Sequence, residues 1–367
     1  MYKVSQSRSL VNVSNSILKA FDIPVYHNSY KVLDDIFEAN PGKPICLALF
    51  DGLGKTVLKE HKDVAPFLYK NRLKTITSVF PPTTVAATTS VMTGLYPCET
   101  GWLGWRQLFK REGKIVDMFA SVVSGSDDKF IPATTERYKT ITFIDLINER
   151  WGDGSAFNLA GHTMFAHGKC DSKIYFEKLD ATIKQGYKFI YAYYPDPDST
   201  LHDFGNYSPE AAAAIKGIND NFEKVVKNNP DVLFISLADH GHIDFEWKAL
   251  DEHPDFFETL DGLYFCEARA SMVNIKEGRT EDFLAAFKKY YANDFELYSK
   301  EEIKAKQLFG YSEKTCAGFD DMLGDWLMVA VGPYSFFESY DYEDMKSTHA
   351  GGTKREGLLS LCVYNND

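Results

Sequence analysis

The sequence predicts an α/β protein: a mostly parallel sheet flanked by helices, with a cap formed by insertions. Three observations predict the α/β class. Short continuous apolar runs recur along the chain, each closes on Gly, Pro or acidic residues, and helical patterns lie between them. Runs without polar alternation suit strands buried on both faces, and strands that alternate with helices build a parallel sheet.

In chain order, the first run is residues 44–50, PICLALF, which ends at Asp51-Gly52-Leu53-Gly54 and so puts Asp51 at the carboxyl end of a strand. Residues 78–105 follow, where Pro81 and Pro82 stop the preceding strand and Thr83 and Thr84 open a helix of small residues. Runs at 188–196 (KFIYAYYPD), 231–241 (DVLFISLADHG) and 325–332 (DWLMVAVG) supply three more strands of the same sheet. Residues 208–228 read as a helix that opens on a Ser cap with Pro in its first turn. Two regions break the alternation: residues 106–139, rich in charge, and residues 245–324, which include the helical TEDFLAAFKKYY. Both are expected as cap insertions on a single catalytic domain spanning 1–367. In sheets of this kind ligands sit beyond the carboxyl ends of the strands, so the polar residues there are the ones to examine.

Composition narrows the function. With 44% hydrophobic residues and 14 prolines that are scattered rather than clustered, the chain is globular and not low-complexity. Forty basic residues against 52 acidic give a charge of −12, and no basic stretch alternates with aromatics, which excludes a grip on long nucleic acid. A phosphate site must then take its positive charge from a metal or a helix N-terminus. No stretch approaches the roughly 18 to 20 apolar residues of a membrane span, and the first residues lack the features of a secretory signal, so a cytoplasmic location is expected. Six cysteines (Cys46, Cys98, Cys170, Cys266, Cys316 and Cys362) show no CxxC spacing and read as free, buried thiols.

Beyond the predicted strands lie Asp51, Asp198 with His202 one helical turn on, the adjacent Asp239 and His240, and His349 in STHAGG. Mixed Asp/His ligation suits zinc or manganese, and six such ligands are enough for two ions. Each has an ordinary explanation alone: a solvated helix turn, a helix cap, an Asp before a Gly turn. Gathered after separate strands of one sheet, they point instead to a metal centre. Thr83 and Thr84 place hydroxyls at a positive helix terminus, an anion site with a built-in nucleophile, although Thr is also a preferred cap. A threonine hydroxyl needs a base or a metal to become nucleophilic, and the chain supplies metal ligands.

The ordered set of Asp51, the FPPTT segment, the PD-xxx-H-xx-G segment at Pro197–Gly205, DHG at 239–241 and a late His before two glycines resembles the alkaline phosphatase superfamily. It is most similar to the nucleotide pyrophosphatase/phosphodiesterase (type I phosphodiesterase) branch, from about residue 44 onward. The resemblance implies a metal-dependent hydrolase of small phosphoesters or nucleotides, with two divalent ions, zinc foremost and manganese as the alternative. Thr84 is then the nucleophile and also touches the first metal, which Asp51, Asp239 and His240 hold. Asp198, His202 and His349 hold the second, Asp198 being chosen over Asp196 for its spacing to His202. The N–H of Val85, at the start of the helix, would hold a non-bridging phosphoryl oxygen.

One departure stands out. The branch carries a phosphate-binding Asn about twenty-one residues after its nucleophile, and here that position is Trp105. Trp102 and Trp105 either stack on a base or aryl leaving group or pack the cap onto the core. His162 and His167 follow the first cap region and could reach the substrate; His242, in DHGH, either orients a ligand or is structural. His27, His61 and His253 carry no signal. The sulfatase pattern Cys-x-Pro-x-Arg is absent. Other reactions on the same scaffold are a phosphomonoesterase, a phosphonoacetate-type hydrolase or a phosphosugar mutase. A non-catalytic binding protein is disfavoured because every ligand is present.

Overall fold

The structure is a computed structural model that describes residues 1–130, 140–159, 171–337 and 344–364. His162, His167 and Cys170 lie outside the described residues, as does the end of the first expected cap region.

The main sheet has six strands in the order Arg72–Thr77, Leu358–Tyr364, Leu233–Leu237, Ile45–Phe50, Phe189–Tyr194 and Ala156–Asn158. Ile45–Phe50 is parallel to both its neighbours, and Leu358–Tyr364 runs antiparallel to the strands beside it. Every residue of Ile45–Phe50 and of Phe189–Tyr194 is buried, as continuous apolar runs require, and burying each large side chain contributes about 1.5–3 kcal/mol. Helices Ser172–Ile183 and Pro209–Asn228 pack on each other, and Phe50 meets their Phe176 and Phe222 edge-on. Ser208 caps the second of these by accepting from the Ala211 N–H, with Pro209 at the first turn.

One sequence expectation is overturned here. Residues 325–332 do not supply a fourth strand of the main sheet; Trp326–Ala330 lies in a second, antiparallel sheet, and the place in the main sheet is taken by Leu358–Tyr364. A fully buried apolar strand looks the same in either sheet, because both of its faces are covered. His349 therefore follows no main-sheet strand. The second sheet has seven strands in the order Phe295–Ser299, Trp326–Ala330, Ala270–Val273, Phe265–Glu267, Arg106–Phe109, Lys114–Asp117 and Val122–Val123. It joins stretches from both regions that break the sequence rhythm.

The Thr84–Thr93 helix packs against Leu10–Ala20. Its small side chains allow close approach, and the first helix uses it: Ser14 Oγ donates to the Val91 carbonyl and Asn15 Nδ2 to the Gly94 carbonyl. Both donors are buried, and they satisfy two carbonyls at the C-terminal end of this helix and tie that end to the first helix.

Candidate metal centre

The Leu233–Leu237, Ile45–Phe50 and Phe189–Tyr194 strands are neighbours and parallel, so their carboxyl ends lie side by side. Asp239 and His240, Asp51, and the Asp198–Phe204 helix follow those three ends. Residues far apart in sequence thus converge through sheet order alone.

Two donor clusters result, Asp51 with Asp239 and His240, and Asp198 with His202, His242 and His349. In the first, His240 Nε2 lies 3.1 Å from Asp51 Oδ1 and 3.4 Å from Asp239 Oδ2. Both oxygens are buried and lack a hydrogen-bond partner. The other oxygens are engaged: Asp51 Oδ2 accepts from the Tyr193 hydroxyl, and Asp239 Oδ1 from the N–H groups of Gly52 and His240. Buried acceptors without partners are costly, and one cation bound among these atoms would satisfy both. Donors about 2.0–2.2 Å from a tetrahedral ion stand roughly 3.4 Å apart, which is the spacing seen. The residues present fit a divalent ion.

In the second cluster Asp198 and His202 are one turn apart on their helix, with His202 Nε2 3.3 Å from Asp198 Oδ1. His202 Nδ1 is 2.8 Å from the Ser347 carbonyl, which fixes the ring. His349 arrives by a different route. Ser347–Thr348 pairs antiparallel with Ile243–Asp244, and the next residue brings His349 Nε2 to 3.7 Å from Asp198 Oδ1. Ala350 then adopts a left-handed φ of 79° and donates its N–H to the Pro82 carbonyl, joining this loop to the segment before Thr83. His349 stacks on His240 with ring centroids 3.8 Å apart, so the two clusters share a wall.

His242 reads in sequence more readily as a structural histidine than as a ligand-orienting one, and the structure brings it into this cluster. Its Nε2 is 2.6 Å from Asp198 Oδ1 and its Nδ1 2.8 Å from Ser347 Oγ. Gly52, at φ 73°, has no room for a side chain, since a Cβ there would sit 2.9 Å from His242 Cδ2. Asp196 is directed elsewhere and accepts from the Thr200 N–H and hydroxyl.

Electrostatics follow from this crowding. Burial, then the charge of Asp198, pushes Asp51 well above the ordinary carboxylate range, and burial with the Asp51 charge does the same to Asp239. Burial opposes ionisation of Asp198 too, but His202 and His242 hold it well below its usual value. Burial lowers His242 to about 4 and also holds His349 down, so both present neutral imidazoles, the form that binds metal.

Thr83 is the N-cap of the Thr84–Thr93 helix, yet its hydroxyl does not cap; it donates to Glu267 Oε1, 2.7 Å away. Thr84, first in the helix, directs Oγ1 to within 3.1 Å of His240 Nε2 and 3.5 Å of Asp51 Oδ2. Val85, next in the helix, is fully buried and does not line the cavity over Thr84; its N–H belongs to the first turn, which has no intrahelical carbonyl to take it. A cavity of about 390 Å³ opens over Thr84, Asp198, His202 and His349, walled by Trp105, Trp247, Tyr264 and Phe336. Trp105 is 42% exposed and lines it, whereas Trp102 packs against Phe119 in the core and does not. Glu267 also lines the cavity, with burial pushing its carboxyl up to about 7. It was missed in sequence.

A mostly parallel sheet with Asp/His clusters along its carboxyl edge and a threonine at the adjoining helix terminus defines a member of the alkaline phosphatase superfamily. More particularly, the sequence model of the type I phosphodiesterase / nucleotide pyrophosphatase family matches residues 45–124 and 127–353, and the chain belongs to that family. Among solved structures, mouse ectonucleotide pyrophosphatase/phosphodiesterase 5 is similar at 17% identity, covering 88% of each chain with a TM-score of 0.66. Its inactive threonine-to-alanine variant in complex with AMP gives 16% identity over 88% of each chain and 0.66. The human protein of the same name gives 15% over 88% of each chain and 0.64. No curated protein sequence matches the chain. Among the described residues no helix is long and apolar enough to cross a membrane.

Proposed function

We propose that the protein hydrolyses small phosphoesters, phosphodiesters and nucleotide pyrophosphate bonds foremost, with Thr84 as nucleophile and two divalent ions, zinc before manganese. The observation that carries this reading is the Thr84 hydroxyl 3.1 Å from His240 Nε2, beside two buried carboxylate oxygens that lack partners. Asp51, Asp239 and His240 would hold one ion, with Thr84 against it, and Asp198, His202 and His349 the other. The ions would supply Lewis-acid stabilisation of the attacking and leaving oxygens. Thr84 gives its hydroxyl proton to solvent as Oγ forms the bond to phosphorus and the bond to the leaving oxygen breaks; the leaving group takes up a proton from solvent, and water then cleaves the phosphothreonine, releasing the phosphoryl product and restoring the hydroxyl. The N–H of Val85 donates to a non-bridging oxygen, and the helix terminus adds its partial positive charge. Trp105 offers an aromatic face to a base or aryl leaving group. A mouse neighbour inactivated by replacing a threonine and holding AMP supports both the nucleophile and a nucleotide-sized substrate.

The test is metal content of the purified protein, followed by hydrolysis of bis-p-nitrophenyl phosphate, p-nitrophenyl phosphate and a phosphonate ester with defined metals. Turnover of the diester by the metal-loaded form alone is the expected result. Equal turnover after complete metal removal would overturn it.

A further inference from the structure

Glu267 has no part in the chemistry proposed above, yet the structure invests in its placement. It ends the Phe265–Glu267 strand, and Cys266 before it holds a left-handed φ of 79°, a conformation unfavourable in a residue other than glycine. Gly104 packs so closely on Cys266 that a Cβ would sit 2.8 Å from its carbonyl oxygen. That approach carries Trp105 alongside, and the Trp105 N–H donates to Glu267 Oε1 at 2.8 Å. The Thr83 hydroxyl donates to the same oxygen. Two donors on one oxygen fix the carboxyl group and favour its anion against the burial that pushes it up to about 7, so the group carries its charge above neutral pH. The group is only half-buried, and what remains open faces the cavity over Thr84. Of the other charged side chains on the cavity, Asp198 belongs to the second donor cluster, and Arg106 has its Nε on Ser124 Oγ and its guanidinium over the Tyr264 ring at 5.1 Å.

We propose that Glu267 sets the class of phosphoester the site accepts: its carboxylate, fixed beside Thr83, favours a monoanionic diester and disfavours the dianion of a monoester. This rests on the phosphoester reading above and deepens it. A diester brings one negative charge and a second ester group in place of a charged oxygen. A monoester brings two charges, and the additional one must sit near an anion in a partly desolvated cavity. At about 5 Å and an effective dielectric of about 20, repulsion of this kind is worth more than a factor of ten. The same carboxylate accepts a hydrogen bond from a hydroxyl or amino group on the second ester group, the substituent that a diester has and a monoester lacks. Specificity thus comes from a repulsive element as well as an attractive one.

The test compares kcat/KM for bis-p-nitrophenyl phosphate and p-nitrophenyl phosphate in the metal-loaded wild type and in Glu267→Gln at about pH 8.5, where Glu267 is ionised. Glutamine keeps an oxygen for Thr83 and Trp105 and removes the charge. The monoester-to-diester ratio is expected to rise about tenfold or more in the variant. Inhibition by inorganic phosphate is expected to tighten relative to inhibition by dimethyl phosphate. An unchanged ratio, or equal losses on both substrates at unchanged metal content, would overturn the inference and leave Glu267 as a brace for Thr83. Wild-type protein that binds metal and turns over neither ester would instead overturn the phosphoester reading, and this inference with it.

Discussion

Thr84 Oγ1 stands 3.1 Å from His240 Nε2, although 156 positions separate the two residues. The contact exists because the Leu233–Leu237 strand lies beside Ile45–Phe50 and the Thr84 helix is anchored at its far end by Ser14 and Asn15. It sets the hydroxyl at the edge of the first donor cluster, where charge on its oxygen is most easily supported.

Thr84→Ala is expected to lower turnover of an activated diester by about a thousandfold or more while metal content stays close to that of the wild type. Asp51, Asp239 and His240 remain, so the cluster loses one weak donor and keeps its three strong ones. Rates and metal analysis on the same preparation check both halves. Full activity in the variant would remove Thr84 from the chemistry.

Asp239→Asn should separate stability from metal binding. Asp51 and Asp239 have folded-state pKa values raised above those of the unfolded chain, by burial first and by their neighbours' charge second. Such groups favour the metal-free fold below the unfolded carboxylate value, and that contribution is lost as pH rises through the folded values. Above about pH 7.5, where Asp198, His242 and His349 no longer titrate in either state, the metal-free protein should therefore melt at lower temperature as pH rises, and zinc should reverse the trend. Asparagine at 239 removes a buried charge and is expected to stabilise the metal-free form by about 1–3 kcal/mol above neutrality, yet to weaken zinc binding. Melting curves with and without chelator across pH test this. A metal-free protein whose stability is flat with pH would contradict it.

Zinc affinity itself should fall as pH falls, because carboxyls held protonated must release protons to the ion's solvent when it binds. His242 and His349 work in the opposite sense: burial keeps them neutral, so they do not compete. Competition with a chromophoric chelator at about pH 6 and about pH 8 measures the difference.

How far the site was legible in sequence follows from what each residue does locally. Asp51, Asp239 and Asp198 close apolar runs or open the helix beyond one, and a strand end is readable without knowing the sheet order. The run at 325–332 was equally readable as a strand, but an all-apolar strand does not reveal which sheet buries it. The Leu358–Tyr364 strand escaped notice as the last piece of the sheet. Glu267 was missed because its contacts, to Thr83 and Trp105, lie 184 and 162 positions away. The available signal was a Glu and an Arg two apart in the otherwise uncharged hairpin around Phe265–Val273, with Glu267 closing its first strand and Arg269 in its turn.

His242 should report on the second cluster. Its Nε2 touches Asp198 and its Nδ1 touches Ser347, so it holds the carboxylate in place whether or not it meets the ion. His242→Ala is expected to weaken binding of the more loosely held ion about 10- to 100-fold, as loss of a ligand's supporting partner does. His242→Gln, which can donate to Asp198 from a similar position, should recover part of that loss. Two-site metal titrations of the three proteins decide it; identical affinities would leave His242 as packing.

Arg269 and Glu356 form a fully buried pair, Nε to Oε1 at 2.8 Å, and its other bonds show what the pair fixes. Glu356 accepts from the Gly351 N–H and from the N–H and hydroxyl of Thr353, while Arg269 donates to the Gly332 and Tyr334 carbonyls. The loop that carries His349 is thereby tied to the second sheet. Breaking a buried pair by removing one partner leaves an uncompensated charge, so Arg269→Met is expected to destabilise the fold by about 3–5 kcal/mol. Replacing both partners, Arg269→Met with Glu356→Leu, should recover most of that stability, since two apolar groups leave no charge behind. The double variant would still lack the bonds to Gly351 and Thr353, so His349 would lose its anchor and metal affinity at the second cluster would stay low. Denaturant unfolding separates the stability terms, and zinc titration reports the site. A double variant that regains both stability and affinity would show that the pair holds the fold but does not position His349.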